Sequence, residues 1–243
     1  MTFALVYSRA SVGIEAPLVA VETHLSKGLR KFTIVGLPEA AVKESKDRVK
    51  SALLQSGYQV PKGHITVNLA PADLPKEGGR FDLPIAISIL MASGQLECSS
   101  INEYELAGEL ALSGNLRPIK GILPFALATQ KAQRTLIIPY ANQEEATWVN
   151  PLRIYGCTDF LSVTAHLGGK ITCIPASFSA IAPQKDTLQC LSEVCGQAHA
   201  KFALEVAAAG GHSLLMVGPP GTGKTMLASR LAGILPPLFQ KEA

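Results

Sequence analysis

The chain has 243 residues, of which 47% are hydrophobic and 17% are charged. This composition supplies a sizeable core and excludes general disorder, and the length fits one or two domains. The net charge of +3 is too small to indicate a nucleic-acid or membrane partner by itself.

The chain starts with MTFALVYSRASVG, which lacks a basic region followed by a long apolar run, so we predict no signal peptide. The densest apolar stretch, LPIAISILMA at 83–92, is about half as long as a membrane span. We therefore expect a cytoplasmic protein with no membrane partner. The cysteines are Cys98, Cys157, Cys173, Cys190 and Cys195. They form no Cys-x-x-Cys pair, which favours free thiols. A zinc site at Cys190, Cys195 and His199 would match no common spacing.

Strand and helix patterns alternate over the first two thirds of the chain. Strands are predicted at KFTIVGL (31–37) and HITVNLA (64–70), the second with Ile65, Val67 and Leu69 on one face. A helix is predicted over 39–57, with Gly57 as its end. Its apolar face should contain Val42, the stem of Lys46, Val49, Ala52 and Leu53. The loop PADLPKEGGRFD leads into an apolar helix at 83–94.

The segment YELAGELALSGNLRPIKG (104–121) predicts two strands joined at Ser113-Gly114-Asn115. The following elements are predicted as helices near 122–132 and 142–148, strands at 135–139 and 152–156, and a helix through Phe160, Val163 and Leu167. Periodicity is lost over 173–192, which indicates a linker with room for one helical turn. Helical spacing resumes through Ala198, Phe202 and Val206, followed by a short buried strand, HSLLMV, and a helix that starts in KTMLASRLAGIL.

A glycine-rich loop between the last predicted strand and helix is the strongest motif in the chain. The candidate cofactor-binding residues are Gly218, Pro219, Pro220, Gly221, Thr222, Gly223, Lys224, Thr225 and Met226. In Gly-x-x-x-x-Gly-Lys-Thr, successive backbone N–H groups turn toward the phosphates of ATP, and glycines allow close approach. We expect Lys224 to contact the β- and γ-phosphates and the Thr225 hydroxyl to coordinate Mg²⁺.

Hydrolysis requires more than this loop. An acidic residue at the end of a later strand must hold Mg²⁺ and position water, often with an arginine finger. Residues 226–243 leave no room for either group, so we assign no catalytic residue. We expect the chain to be the front portion of a longer protein, ending just inside its ATPase core.

Three sequence blocks carry a family resemblance: ITVNLAPADLPKEGGRFDLPIAI, YELAGELALSGNLRPIKG and AAAGGHSLLMVGPPGTGKTMLASRL. Together they resemble the ComM (YifB) branch of the magnesium-chelatase-like AAA+ ATPases. The resemblance runs over the whole chain. It implies an N-terminal domain of the ribosomal-S5/Lon-protease type, then an AAA+ module, assembled as a homo-hexameric motor. ComM is associated with DNA branch migration in natural transformation and recombination, so branched or single-stranded DNA is the implied partner.

The N-terminal part also resembles the proteolytic domain of Lon, which uses a serine nucleophile and a lysine. The position matching the serine, directly after Pro84, holds Ile85. The candidate lysine positions hold Leu123 and Phe125, and Lys120 lies inside the preceding turn. The resemblance therefore implies a Lon-like fold without peptidase chemistry, that is, a binding or assembly module.

Two charged segments remain open. KEGGRFD (76–82) is either an exposed loop that touches DNA or a neighbouring subunit, or an ordinary solvated loop. KESKDRVK (43–50) favours a solvated helix face over a DNA-binding stripe, because acids offset its bases.

We predict an α/β protein: a non-proteolytic Lon/S5-type α+β domain at 1–172, a linker at 173–192, and the start of an AAA+ P-loop core at 193–243. Gly196 and Gln197 resemble the AAA+ segment beside the adenine. The predicted function is the ATP-binding portion of a ComM-type DNA motor. The alternatives are a magnesium-chelatase-like metal-insertion subunit and, third, an ATP-dependent Lon-type protease.

Overall fold

The structure is a computed structural model that describes residues 2–177 and 190–235. The chain divides into two compact units, 1–179 and 180–243. The boundary between them falls within the segment 173–192. Most of that segment, residues 178–189, lies outside the described residues, so the helical turn predicted within 173–192 is not tested there.

The first unit contains nine strands and five helices in its described part. The strands are β1 (Phe3–Arg9), β2 (Leu18–Ser26), β3 (Lys31–Val35), β4 (His64–Ala70), β5 (Tyr104–Leu106), β6 (Glu109–Leu110), β7 (Leu116–Arg117), β8 (Thr135–Pro139) and β9 (Ile154–Cys157). The helices are α1 (Ala40–Gln55), α2 (Asp82–Ala92), α3 (Ile122–Lys131), α4 (Gln143–Ala146) and α5 (Phe160–Leu167).

Seven of these strands form one mixed sheet in the order β3-β4-β2-β1-β5-β8-β9. Four neighbouring pairs are parallel, and β2 is antiparallel to both β1 and β4. Strands β6 and β7 form a separate antiparallel pair. The mostly parallel central sheet with its helices confirms the predicted α/β class.

Helix α2 is the centre of the larger core. All of its residues except Met91 are buried, and the helix packs against β1, β2 and α1. A helix that is apolar on every side, as in LPIAISILMA, is stable only when it is covered all round. No described helix combines the length and the apolar character needed to cross a bilayer.

Most of the predicted elements of the first unit are confirmed. In β4, Ile65, Val67 and Leu69 alternate inward as expected. Helix α1 buries four of the predicted face residues, but Ser45 is buried in place of the Lys46 stem. The segment 104–121 forms three short strands rather than two, because β5 joins the main sheet and the chain then turns away at Gly108 to pair β6 with β7.

The segment KEGGRFD is buried at both ends, while Glu77 and Gly78 between them are exposed. Phe81 and Asp82 are fully buried, and Lys76 is buried with its ammonium donating to the carbonyl of Pro71. Burial lowers the pKa of Lys76. The charged ends of this segment point inward and have a structural role. Lys76 and Asp82 are therefore not available to contact DNA or a neighbouring subunit.

The contacts of the Asp82 carboxylate show that the predicted solvated face of α1 does not include Arg48. Arg48 donates from Nε to Asp82 Oδ2 at 2.6 Å, and the Ser45 hydroxyl donates to Oδ1. The Leu110 N–H donates to Oδ2 at 3.1 Å. Arg48 therefore ties α1 to the start of α2 and is not part of a solvated face.

The second unit contains α6 (Ala198–Gly210) and α7 (Lys224–Ser229). The predicted strand HSLLMV is wrong, since no described strand lies in this unit and Leu215 and Val217 are 86% and 88% exposed. A strand needs a neighbour for its backbone hydrogen bonds, and none of the residues described here supplies one. Helix α6 is confirmed, but it buries Leu204, Ala207 and Ala208 and exposes Phe202.

His166 on α5 provides a test of pH dependence in the first unit. Its ring lies against Tyr155, with centroids 4.2 Å apart, and its Nδ1 accepts the N–H of Cys173 at 3.2 Å. Its Nε2 is buried without a hydrogen-bond partner in the described residues. Burial lowers the pKa of His166, because the charged ring would lose water and gain no acceptor.

We therefore expect the free energy of unfolding to fall as the pH drops below about 6.5, the pKa of histidine in an unfolded chain. In that range the unfolded state takes up a proton that the folded state does not. Urea unfolding at a series of pH values should show this loss, and His166→Phe should reduce it. Parallel pH profiles for the two proteins would contradict the assignment.

Candidate nucleotide-binding site

The loop over 218–225 turns sharply at two glycines. Gly221 and Gly223 have φ angles of 82° and 80°, in the left-handed region that other L-residues rarely adopt. A Cβ on Gly223 would also lie 3.4 Å from Cε of Met226. These positions therefore require glycine for their backbone conformation, and Gly223 leads directly into α7.

Lys224 lies over this loop. Its Nζ donates to the carbonyls of Gly218 at 2.8 Å and Pro219 at 2.7 Å, and it lies 3.3 Å from the Thr222 hydroxyl. The Thr222 hydroxyl in turn donates to the Pro219 carbonyl at 3.0 Å. The ammonium of Lys224 is thus placed at the loop rather than extended into solvent.

The backbone N–H groups of the loop are available as donors. Those of Gly221, Thr222 and Gly223 donate to no backbone acceptor in the described part of the chain. Neither do those of Lys224 and Thr225, whereas the next loop-closing bond runs from Leu227 N–H to the Gly223 carbonyl at 2.9 Å. A row of free N–H groups beside an ammonium is the donor set that binds phosphate oxygens.

A cavity of about 580 Å³ adjoins the loop within the second unit. Gly218, Pro219, Thr222 and Lys224 line it together with the start of α6. Its volume lies within the roughly 300–1,000 Å³ of small-molecule sites. The loop and the space beside it are therefore large enough for a nucleotide.

Gln197 connects this cavity to the loop. It has a left-handed φ of 57° just before α6, and its Nε2 donates to the Thr222 carbonyl at 3.0 Å. His199 also lines the cavity and was not among the sequence-predicted site residues. His199 lies two residues after Gln197, in the first turn of α6, and this spacing is the sequence signal that points to it.

The remaining predicted site residues lie on the outside of the loop. Pro220 and Thr225 are exposed, and Met226 is 41% exposed on α7. No hydrogen bond engages the Thr225 hydroxyl in the described residues, so it is free to coordinate a ligand. The structure thus brings Lys224, Thr222 and the glycine turns together, while Thr225 and Met226 face solvent.

The first unit shows where the Lon-like positions lie. Ile85 is fully buried in α2, Phe125 is fully buried in α3, and Lys120 is exposed before α3. The nearby Ser88 hydroxyl is also buried, 2.6 Å from that of Thr23, and it donates to the Ile85 carbonyl. Ser88 is therefore occupied and closed to a substrate.

Comparison with known proteins gives two family matches. Residues 21–142, half of the chain, match the family described as subunit ChlI of Mg-chelatase. Residues 190–243 match magnesium chelatase, subunit ChlI.

Curated relatives match over the whole chain. Competence protein ComM of Haemophilus influenzae is 53% identical over 100% of this chain and 48% of its own length. The protein YifB of Escherichia coli is 49% identical with the same coverage, and Rv2897c of Mycobacterium tuberculosis is 36% identical. The chain therefore spans about half the length of these relatives. On the family match and this identity, the chain belongs to the ComM/YifB family of magnesium-chelatase-like proteins.

Proposed function

We propose that residues 218–226 bind the phosphates of ATP together with Mg²⁺. The observation that supports this most strongly is Lys224, whose Nζ lies within 2.8 Å of the Gly218 and Pro219 carbonyls, above a loop with two left-handed glycines. An ammonium held this way, beside unused N–H groups, forms a strong anion site.

Each part of the loop has a distinct role in this proposal. The N–H groups of Gly221, Thr222 and Gly223 donate to phosphate oxygens, and Lys224 turns its ammonium from the loop carbonyls to the β- and γ-phosphates. Gln197 and His199 line the adjoining cavity, and in this proposal they contact the adenosine end of the nucleotide. Gln197 also fixes the loop through its bond to Thr222.

Thr225 fits a magnesium ligand because its hydroxyl is exposed and unused by the described residues. Mg²⁺ takes one or two protein oxygens and completes its shell with water and phosphate oxygens, so one hydroxyl beside bound ATP suffices. When bound, the ion neutralises phosphate charge. The protein contribution here is to bind and orient the phosphates.

The 243-residue chain should bind MgATP weakly and should not hydrolyse it, because no described strand lies beside the loop and no described acidic residue lines its cavity to position water. Titration with a fluorescent ATP analogue measures binding, with Lys224→Ala as the variant and the exposed Lys131→Ala as control. Steady phosphate release that disappears in Lys224→Ala would contradict the absence of hydrolysis. Equal binding by all three proteins would contradict the site itself.

For the full-length protein we propose an ATP-driven, homo-hexameric machine that acts on branched or single-stranded DNA in the cytoplasm. The support is the 53% identity to a protein named for competence, together with the phosphate loop. A magnesium-chelatase-like subunit remains the second candidate, supported by the ChlI family matches. The two differ in whether DNA raises the rate of ATP hydrolysis.

We propose that residues 1–172 are a Lon-like module without peptidase activity. Ile85, Leu123 and Phe125 offer no hydroxyl or amine at the nucleophile and lysine positions, and Ile85 and Phe125 are closed off by packing. We expect no turnover of casein or fluorogenic peptides by the chain. Turnover that survives repurification and is lost when one particular serine is replaced would contradict this.

A further inference from the structure

A groove at one edge of the first unit is lined by four basic side chains, Arg30, Lys31, Lys50 and Lys62. Its volume is about 490 Å³, and none of the described residues that line it is acidic. It lies beside β3, the edge strand of the seven-stranded sheet, and Phe32 forms part of its apolar floor. The groove therefore combines a concave surface with charge of one sign.

Three separate elements bring these four side chains together. Arg30 and Lys31 come from the start of β3, Arg30 directly before the strand and Lys31 as its first residue, and Lys50 comes from the second half of α1. Lys62 belongs to the loop that precedes β4. The convergence results from the tertiary fold, and a sequence pattern within one helix would not reveal it.

Within the described residues, the four positive charges have no carboxylate partner. Arg30, Lys31 and Lys62 are exposed and Lys50 is half-buried, and no ion pair engages any of them in the described residues. By contrast, Arg9 and Arg134 share the buried carboxylate of Glu105. Neighbouring cations without a counter-charge repel one another, and a bound anion relieves that repulsion.

We propose that this groove binds the phosphate backbone of DNA, an assignment that rests on the DNA-directed function proposed above. A site for a small anion presents buried donors that converge on one point, whereas three of these four cations are exposed along an open groove. Exposed cations along a groove match the repeating charge of a polyanion. The groove thus contacts the backbone and leaves base sequence unread.

The test compares two variants of the 243-residue chain with the same change in charge. The groove variant carries Arg30→Gln, Lys31→Gln, Lys50→Gln and Lys62→Gln. The control carries Lys120→Gln, Lys131→Gln, Arg153→Gln and Lys170→Gln, which are exposed cations elsewhere on the same unit. Fluorescent single-stranded DNA and a four-way junction are titrated over a range of salt concentrations, and circular dichroism checks folding.

We expect the groove variant to bind DNA at least about tenfold more weakly at low salt. On single strands, the slope of log affinity against log salt should fall by about 0.7 for each phosphate that the variant no longer neutralises, while the control keeps the original slope. The double variant Arg30→Gln, Lys31→Gln should show about half of the fall, and it provides the test if the fourfold variant does not fold.

Equal decreases in affinity for the groove and control variants would overturn the proposal, since binding would then depend on total charge alone. A folded groove variant that binds both DNA probes as tightly as the unchanged chain would also overturn it. If the unchanged chain binds neither DNA probe, the groove assignment fails, whereas the DNA-directed function fails only if the full-length protein also binds no DNA.

Discussion

Replacing Lys224 by alanine should abolish the ATP-dependent conversion of three- or four-stranded DNA junctions by a full-length family protein that contains this sequence. The Nζ of Lys224 lies at the loop, within 2.8 Å of two of its carbonyls, where it can reach the β- and γ-phosphates. Removing a preorganised cation from transferring phosphates lowers turnover by about a hundredfold or more. The rate of junction conversion at saturating ATP measures this effect.

DNA binding without nucleotide should survive the same substitution, because Lys224 belongs to the proposed nucleotide site and not to the proposed DNA groove. Lys131→Ala, which removes an exposed lysine from the first unit, should leave the rate unchanged. A Lys224→Ala protein that converts junctions at the original rate would exclude the loop as the site of ATP use.

Glu105→Gln should lower the free energy of unfolding of the first unit by about 3–5 kcal/mol. Glu105 is fully buried, and its carboxylate accepts from Arg9 at 2.6 and 2.7 Å and from Arg134 at 3.0 Å. The Thr129 hydroxyl donates to it at 2.6 Å. A neutral amide would leave Arg9 buried without a counter-charge and would turn an N–H group toward other donors.

Urea unfolding followed by circular dichroism measures this loss. The matched control is Glu103→Gln, two residues earlier and exposed, for which we expect a change within about 0.5 kcal/mol. Equal unfolding midpoints for Glu105→Gln and the unchanged chain would show that the buried network contributes no net stability.

The sequence predicts the elements of the first unit where apolar periodicity is strong. β4 and α2 follow directly from HITVNLA and LPIAISILMA. It does not predict β1 and β2, because their inward faces include Ser8 and Thr23, which are buried polar residues. Thr23 satisfies its hydroxyl against Ser88 of α2, a contact that only the folded chain supplies.

The surroundings of charged side chains are harder to predict from the sequence than those of apolar ones, for the same reason. Nothing local distinguishes Arg48, which pairs with the buried Asp82, from Lys50, which faces an open groove. Both lie on one helix among alternating charges. The residues that surround each of them in the fold lie far along the chain. The basic groove therefore cannot be predicted from local sequence, because only the tertiary fold brings the start of β3, α1 and the loop before β4 together.

The geometry of the proposed nucleotide site follows more directly from the sequence, because a glycine-rich loop determines its own backbone turns locally. The glycine turns and the position of Lys224 follow from residues 218–225 themselves. The cavity formed with Gln197 and His199 depends instead on how α6 packs beside the loop. The strand expected before the loop depends on neighbouring strands and is absent from the described residues.

The rate of ATP hydrolysis by the full-length protein, measured with and without branched DNA at low salt, tests the central claim most directly. An ATP-driven DNA machine should bind the junction and hydrolyse ATP faster when it is present, and Lys224→Ala should remove both rates of hydrolysis. If the protein neither binds branched DNA nor raises its ATPase rate when DNA is added, the motor assignment is wrong, and the magnesium-chelatase-like alternative takes its place.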